Sequence, residues 1–217
     1  MEQVSGIVQQ DLWKNITAEQ RIVLPMKDAE VFYMPQLLQQ HEASQLFTTL
    51  RDSLGWRQDR IRIFGKETAI PRLQAWYGDR NAVYTYSGLQ MVPLPWTEAL
   101  LKIKKQCENV CQCQFNAVLA NLYRDGSDSM GWHSDDEPEL GANPVIASVS
   151  LGQSRDFDFR HKQTHEKYRV ALEHGSLLVM AGDTQQYWQH GISKRKAALG
   201  ERINLTFRRI YTCGNKA

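Results

Sequence analysis

The spacing of hydrophobic and polar positions changes along this chain, and each spacing predicts an element. Arg202-Ile203-Asn204-Leu205-Thr206-Phe207-Arg208 alternates strictly, which puts Ile203, Leu205 and Phe207 on one face of a strand and Arg202, Asn204, Thr206 and Arg208 on the other. Period-two runs bounded by Gly, Asp, Asn or Pro predict strands at Ile61–Phe64, Val83–Tyr86, Ala117–Tyr123, Ile146–Leu151, Phe157–His161, Ser176–Met180, Gln186–His190 and Ile203–Ile210. Helical spacing appears twice. His41–Ser53 places Leu46, Phe47 and Leu50 on one stripe, with Leu54 just beyond, and Thr97–Cys107 follows Pro95 with Ala99, Leu100 and Ile103 in phase. No capping box marks the start of the second helix. Many short strands in the C-terminal half, with helices packed outside them, predict a mainly β (α+β) fold of the sandwich or jelly-roll type. No repeat, low-complexity tract or linker divides residues 1–217, so a single domain with a variable N-terminal third is expected.

Composition narrows the class. At 217 residues, with 42% hydrophobic and 23% charged, the chain can bury its own core without staples. The longest apolar stretch, around Leu177–Ala181, is far too short to span a bilayer, so no membrane partner is expected. Met1–Trp13 lacks a basic leader followed by an apolar block, so the reading is a protein that is not secreted. Cys107, Cys111 and Cys113 are spaced C-x3-C-x-C with only the distant Cys213, which matches no zinc pattern; reduced thiols are expected. The net charge of +2 excludes nothing, but its distribution is uneven. Arg57, Arg60, Arg62, Lys66 and Arg72 face two acids within residues 57–72, and six basic residues between Lys194 and Arg209 face Glu201 alone. Such runs are usually solvated faces and favour a nucleic-acid partner only weakly.

The chemistry begins at His133-Ser134-Asp135. In an extended chain, positions two apart share a face, so an imidazole and a carboxylate converge there. His190 follows Asp135 by 55 residues at the end of an expected strand. Two His and one carboxylate on one face of an octahedral metal leave open positions for a co-substrate and dioxygen, the arrangement of non-haem iron oxygenases. His-x-Asp alone is weak, because His133 could equally be a satisfied surface histidine. Support comes from the polar face of the last strand. An ordinary amphipathic strand would turn it to solvent; inside a barrel mouth, its two guanidiniums would meet the two carboxylates of a small dianion. Asn121 and Tyr123, on one side of the strand before the presumed ligands, fit the same 2-oxoglutarate pocket.

The ordered series Asn121-x-Tyr123, His133-x-Asp135-Asp136-Glu137, Ser148-Val149-Ser150, Arg155-Asp156-Phe157, Phe159-Arg160-His161-Lys162, His190 and Arg202-x-Asn204-x-Thr206-Phe207-Arg208 closely resembles the AlkB family of DNA dealkylating dioxygenases. The resemblance covers roughly residues 55 to 211 and is greatest to the member that prefers duplex DNA. It implies a double-stranded β-helix core over 115–211 and a nucleotide-recognition lid over 55–95. It also implies Fe(II) held by His133, Asp135 and His190, and 2-oxoglutarate held by Arg202, Arg208, Asn121, Tyr123, Asn204 and Thr206. The implied reaction decarboxylates 2-oxoglutarate to succinate, hydroxylates an N-methyl group with dioxygen, and releases formaldehyde from 1-methyladenine or 3-methylcytosine. Asp136 and Glu137 would favour these cationic bases at the pocket mouth.

The resemblance assigns DNA contacts to the lid: Phe64, Gly65, Lys66 and Arg72, then Tyr84, Thr85 and Tyr86, whose rings would stack on a flipped base opposite His133. Tyr86 stands where the duplex-preferring member has Phe. Residues 1 to about 50 resemble the family too little to carry a role. The expected partner is methylated DNA, duplex before single strand, met by a monomer in bacterial cytoplasm or a eukaryotic nucleus. Competing readings are the same chemistry on RNA or single-stranded DNA, a silent nucleic-acid binder on this fold, and a small-molecule or protein hydroxylase.

Overall fold

Alternation in the C-terminal half builds two facing sheets in a computed structural model that describes residues 21–63, 66–86, 89–197 and 200–211. The larger sheet runs β1 (Ile22–Val23), β2 (Glu30–Met34), β13 (Ser176–Ala181), β10 (Ile146–Gly152), β15 (Arg202–Arg208), β8 (Ala117–Tyr123), β5 (Leu73–Gly78), every neighbour antiparallel. The smaller runs β12 (Lys167–Leu172), β11 (Arg155–His161), β14 (Trp188–Ile192), β9 (Met130–His133), also antiparallel. This non-sequential order over two packed sheets is the jelly-roll arrangement expected of the pattern. Two separate hairpins, β3–β4 (Arg60–Ile63, Lys66–Ala69) and β6–β7 (Tyr84–Tyr86, Leu89–Met91), lie in the segment before the second helix. Among the described residues no helix is long and apolar enough to cross a membrane.

Period two sorts the large sheet into two interiors. One face sends Val149, Leu151, Val179, Leu205 and Phe207 against helices α1 (Gln40–Ser53) and α2 (Glu98–Cys111), which contribute Leu46, Leu50, Leu100, Ile103 and Val110. The opposite face meets the small sheet, where Tyr33, Ile146, Leu178 and Met180 pack with Phe157, Phe159, Trp188 and Ile192. Large apolar side chains buried in such layers contribute about 1.5–3 kcal/mol each. Toward β15 and β8 this second interior turns polar, and the candidate site lies there.

Both helices and most strands lie where the periodicity predicts them. Helix α2 starts with Thr97 as its N-cap, the hydroxyl accepting from Leu100 N at 3.3 Å, and continues past the expected Cys107 because Val110 extends the Ile103–Cys107 stripe. Gln112, in the left-handed region at φ 54°, ends it. Strand β15 stops at Arg208 rather than Ile210 because the Asn116 side chain takes over, accepting from Ile210 N (2.7 Å) and donating to Ile210 O (2.8 Å). The strand expected from Gln186 begins only at Trp188: residues Thr184–Tyr187 make one helical turn, α3, with Gln186 N and Tyr187 N both donating to Asp183 O. The N-terminal third is less peripheral than expected. Its β2 pairs with β13 along five residues, one strand in from the edge of the large sheet.

Candidate metal and co-substrate site

His133 ends β9 directly opposite His190 on β14, and Asp135 follows two residues later. Their ligand atoms lie within 4.8 Å of one another, and the two imidazole rings meet edge-on at 4.3 Å. His133 Nδ1 bonds the Gly131 carbonyl at 2.9 Å, which leaves Nε2 for a ligand. His190 is buried, stacked on Phe157 at 5.1 Å, with Nε2 3.7 Å from the Asp135 carboxylate. Burial first, and then its neighbour His133, push the His190 imidazole down to about 3. For Asp135 burial alone would raise the carboxyl, but Arg208, His190 and His133 outweigh it and hold it below the usual range. The site therefore presents neutral imidazole and carboxylate, the protonation states a divalent metal requires. Two contacts aim the carboxylate: Arg208 Nη1 at 3.3 Å from Oδ1, and the Gln185 amide oxygen accepting from Asp135 N at 2.9 Å.

The polar face of β15 lies inside, not in solvent. Arg202 is 1% exposed, and Asn204, Thr206 and Arg208 are buried with it. Register places Arg202 against Tyr123 and Asn204 against Asn121 on β8; on β10, on the other side, Gly152 lies against Arg202, Ser150 against Asn204 and Ser148 against Thr206. Arg202 Nη2 donates to Ser150 Oγ at 2.9 Å, while Nε and Nη1 are buried without a partner among the described residues. Burial draws this guanidinium down to about 10, still charged at neutral pH. Asn204 donates to Ser148 Oγ (2.8 Å) and Val149 O (3.1 Å), and its own oxygen accepts from Thr206 Oγ1 at 3.1 Å. Asn121, Tyr123, Asn204, Thr206 and Arg208 line one cavity with all three candidate ligands. A dianion's carboxylate would complete the two unpaired Arg202 donors, and two imidazoles with a carboxylate suit Fe(II); the residues fit both groups.

Comparison with known proteins agrees with this geometry. The model of the 2OG-Fe(II) oxygenase superfamily matches residues 30–208. The DNA oxidative demethylase ALKBH2 of Homo sapiens is 43% identical over 180 residues, covering 78% of this chain and 69% of that protein. Its Bos taurus counterpart is 42% identical with the same coverage of this chain and 65% of its own length. The alpha-ketoglutarate-dependent dioxygenase alkB homolog 3 of Bos taurus is 41% identical over 198 residues, 86% of this chain and 68% of that one. The chain belongs to the AlkB family. The solved structure of OsALKBH1, at 18% identity and TM-score 0.56 over 82% of this chain and 97% of that one, shares the fold. The family chemistry brings Fe(II), 2-oxoglutarate and dioxygen as expected, and the match begins at residue 30, inside the stretch from which nothing had been carried over.

The expected DNA-facing residues of this AlkB-family chain divide sharply. Tyr84 is fully buried, stacked on Trp76 at 5.1 Å with the Arg208 guanidinium 5.6 Å from its ring, and its hydroxyl reaches Arg208 and Glu137. Arg72 is also buried, with Nε donating to Asn121 Oδ1 at 2.8 Å. Their apolar and polar neighbours on β5 and β8 draw both inward. Asp136 is exposed and lies 3.4 Å from Lys162 Nζ. Glu137 is half-buried, its carboxyl raised chiefly by burial. Phe64 and Gly65 lie outside the described residues; Lys66, Thr85 and Tyr86 are placed only by backbone, in β4 and β6. Sequence reasoning missed Gln185, which occupies a helical turn no periodicity marks, and Phe157. Ser148 and Ser150 were legible from the same alternation that marked β15.

Proposed function

We propose that this AlkB-family enzyme removes methyl groups from 1-methyladenine and 3-methylcytosine in DNA, with duplex DNA favoured, acting as a monomer in the compartment that holds the DNA. The observation that carries the reading is the convergence, in one cavity, of the His133–Asp135–His190 cluster with Asn121, Tyr123, Asn204, Thr206 and Arg208, with the Arg202 guanidinium packed behind it on the Tyr123 ring. Bound there, Fe(II) and 2-oxoglutarate supply the oxidation of a substrate methyl C–H by dioxygen, coupled to decarboxylation of 2-oxoglutarate to succinate. The chain's own residues do the positioning. Arg202 takes one co-substrate carboxylate, with Tyr123 and Asn204 beside it, and the Arg208 and Gln185 contacts keep the Asp135 oxygens aimed. Asp136 and Glu137 at the mouth favour a cationic base over its neutral parent. The N-hydroxymethyl base then collapses, its C–N bond breaking to give formaldehyde and the N–H base.

Residues 55–95 act as the lid, and residues 115–211 as the core it covers. Support for duplex preference is the resemblance of Ile63–Lys66 and Tyr84–Gly88 to the finger and base-pocket segments of the duplex-preferring member. Phe64 fills the gap left by the flipped nucleotide, since extrusion from a paired duplex costs a few kcal/mol that an unpaired strand does not impose. Incubation of a methylated duplex with the protein, iron, ascorbate and 2-oxoglutarate should return the unmethylated mass; an unchanged mass rejects the reading. Phe64→Ala should slow duplex repair by about tenfold while sparing the same lesion in a single strand. Equal losses on both substrates would remove the wedge.

A further inference from the structure

Two buried guanidiniums pack on the Tyr123 ring, Arg202 with Cζ at 5.2 Å from its centroid and Arg155 at 5.8 Å. Their bonding differs. Among the described residues Arg202 keeps two donors without a partner, whereas Arg155 is engaged by three main-chain carbonyls: Nη1 with Asp125 O at 3.2 Å, and Nη2 with Asp128 O at 3.1 Å and Ser193 O at 2.8 Å. Arg202 is built to receive a ligand; Arg155 is built to hold backbone.

The backbone it holds is specific. Asp128 lies two residues before β9 and Ser193 directly after β14, the strands that carry His133 and His190. Their ladder slips between His190 and Ile192, and its far pair is Ile192 with Met130. Arg155 thus bridges the two chains beside the end at which the register shifts. The Asp128 carboxylate is occupied by Arg124 Nε and Nη2, both at 2.8 Å, so Arg155 receives only its carbonyl. Only a planar fork with diverging donors reaches three carbonyls from one stem; a lysine ammonium would leave at least one of them unmet.

We propose that Arg155 is a positioning residue for both halves of the site: through Asp128 and Ser193 it sets the β9–β14 register that brings His133 to His190, and through the Tyr123 ring it supports Arg202. This rests on the reading of the cavity as a metal and 2-oxoglutarate site. A purely structural loop clamp would lower thermal stability yet leave the folded protein's affinities unchanged, and that difference is measurable without turnover.

The full chain and its Arg155→Met, Arg155→Lys and Arg169→Met variants are titrated anaerobically with Co(II), read by its visible spectrum, and then with 2-oxoglutarate by calorimetry, with melting curves alongside. Arg169, exposed and paired with Asp156 and Asp158 on the outer face of β11–β12, is the control. Arg155→Met should weaken Co(II) and 2-oxoglutarate each by about tenfold and alter the Co(II) spectrum, Arg155→Lys should recover part of both, and Arg169→Met should keep wild-type values. A folded Arg155→Met protein with wild-type affinities and spectrum overturns the proposal. If that variant does not fold, Arg155→Lys decides: a loss of roughly threefold or more in 2-oxoglutarate affinity supports it, and none overturns it. Wild-type protein that binds both ligands but leaves methylated DNA unchanged would instead reject the demethylase reading and leave the role of Arg155 standing.

Discussion

The two faces of β15 are equally buried and are sealed in opposite ways. Ile203, Leu205 and Phe207 pack on the helices through apolar contact alone, with Phe115 and Trp96 rings 6.3 and 6.4 Å from Phe207. Two residues apart on the same backbone, Arg202, Asn204, Thr206 and Arg208 face the small sheet through hydrogen bonds to β10, Tyr84 and Asp135. The apolar face gains free energy from burial. A buried guanidinium with two unmet donors loses it, because desolvation of charge is repaid only by a partner. The inner face is therefore maintained for its ligands, and the outer face carries the stability that this requires.

The most damaging test removes a metal ligand. Asp135→Ala or His190→Ala should drop turnover to background, since each takes one of three protein ligands, and metal titration should show the weakened site; near-normal turnover in either would break the assignment of the inner face. Next comes the outer face. Phe207→Ala should destabilise by about 3–5 kcal/mol, seen as a fall of roughly 10 °C in melting temperature, while the folded fraction still binds 2-oxoglutarate. Arg202→Met inverts that result: 2-oxoglutarate affinity should fall by on the order of tenfold to a hundredfold, with melting temperature unchanged or raised. A large thermal loss in Arg202→Met would mean that the two faces share the structural work.

The smallest effect is in acid. The unfolded chain protonates the His190 ring near its ordinary 6.5, but the folded site refuses that proton down to about 3. Across that window the unfolded state binds more protons, so the metal-free protein should lose stability as pH falls from about 6.5 towards 3. Denaturant melts of His190→Asn, which lacks the titrating ring, should show a shallower acid slope. An identical slope would place the acid sensitivity elsewhere.

Much of this molecule was readable where a single strand carries two purposes. In β15 strict alternation, and in β8 the shared phase of Asn121 and Tyr123, marked the polar interior face, because period two separates chemistry from packing residue by residue. Strands β5 and β2 were not expected: Gln74, Trp76 and Tyr77 are all buried, and a strand enclosed on both faces has no polar phase to mark it. Strand β12 did alternate in burial, with Tyr168, Val170 and Leu172 in phase against Lys167, Arg169 and Ala171, and was missed all the same. At the site, His-x-Asp and the arginines of β15 were legible as residue types in phase. The burial of Tyr84 and Arg72 was not legible, because aromatic and basic residues look alike in sequence whether they face outward or, as here, fold in against Trp76 and Asn121. Gln185 gave no signal, being placed by one turn of helix.

The site also joins two levels of local stability. Arg202 stands on a seven-residue strand bonded on both sides, by β10 and β8, whereas His133 ends a four-residue strand at the rim of the small sheet, laddered with β14 on one side. Rim strands open locally with far less free energy than central ones. A ligand that binds only the closed arrangement therefore stabilises it by mass action, and the gain falls mainly on β9. The His133 side of the site is accordingly the part of the fold that a bound ligand completes, while Arg202 waits on a strand that is already fixed.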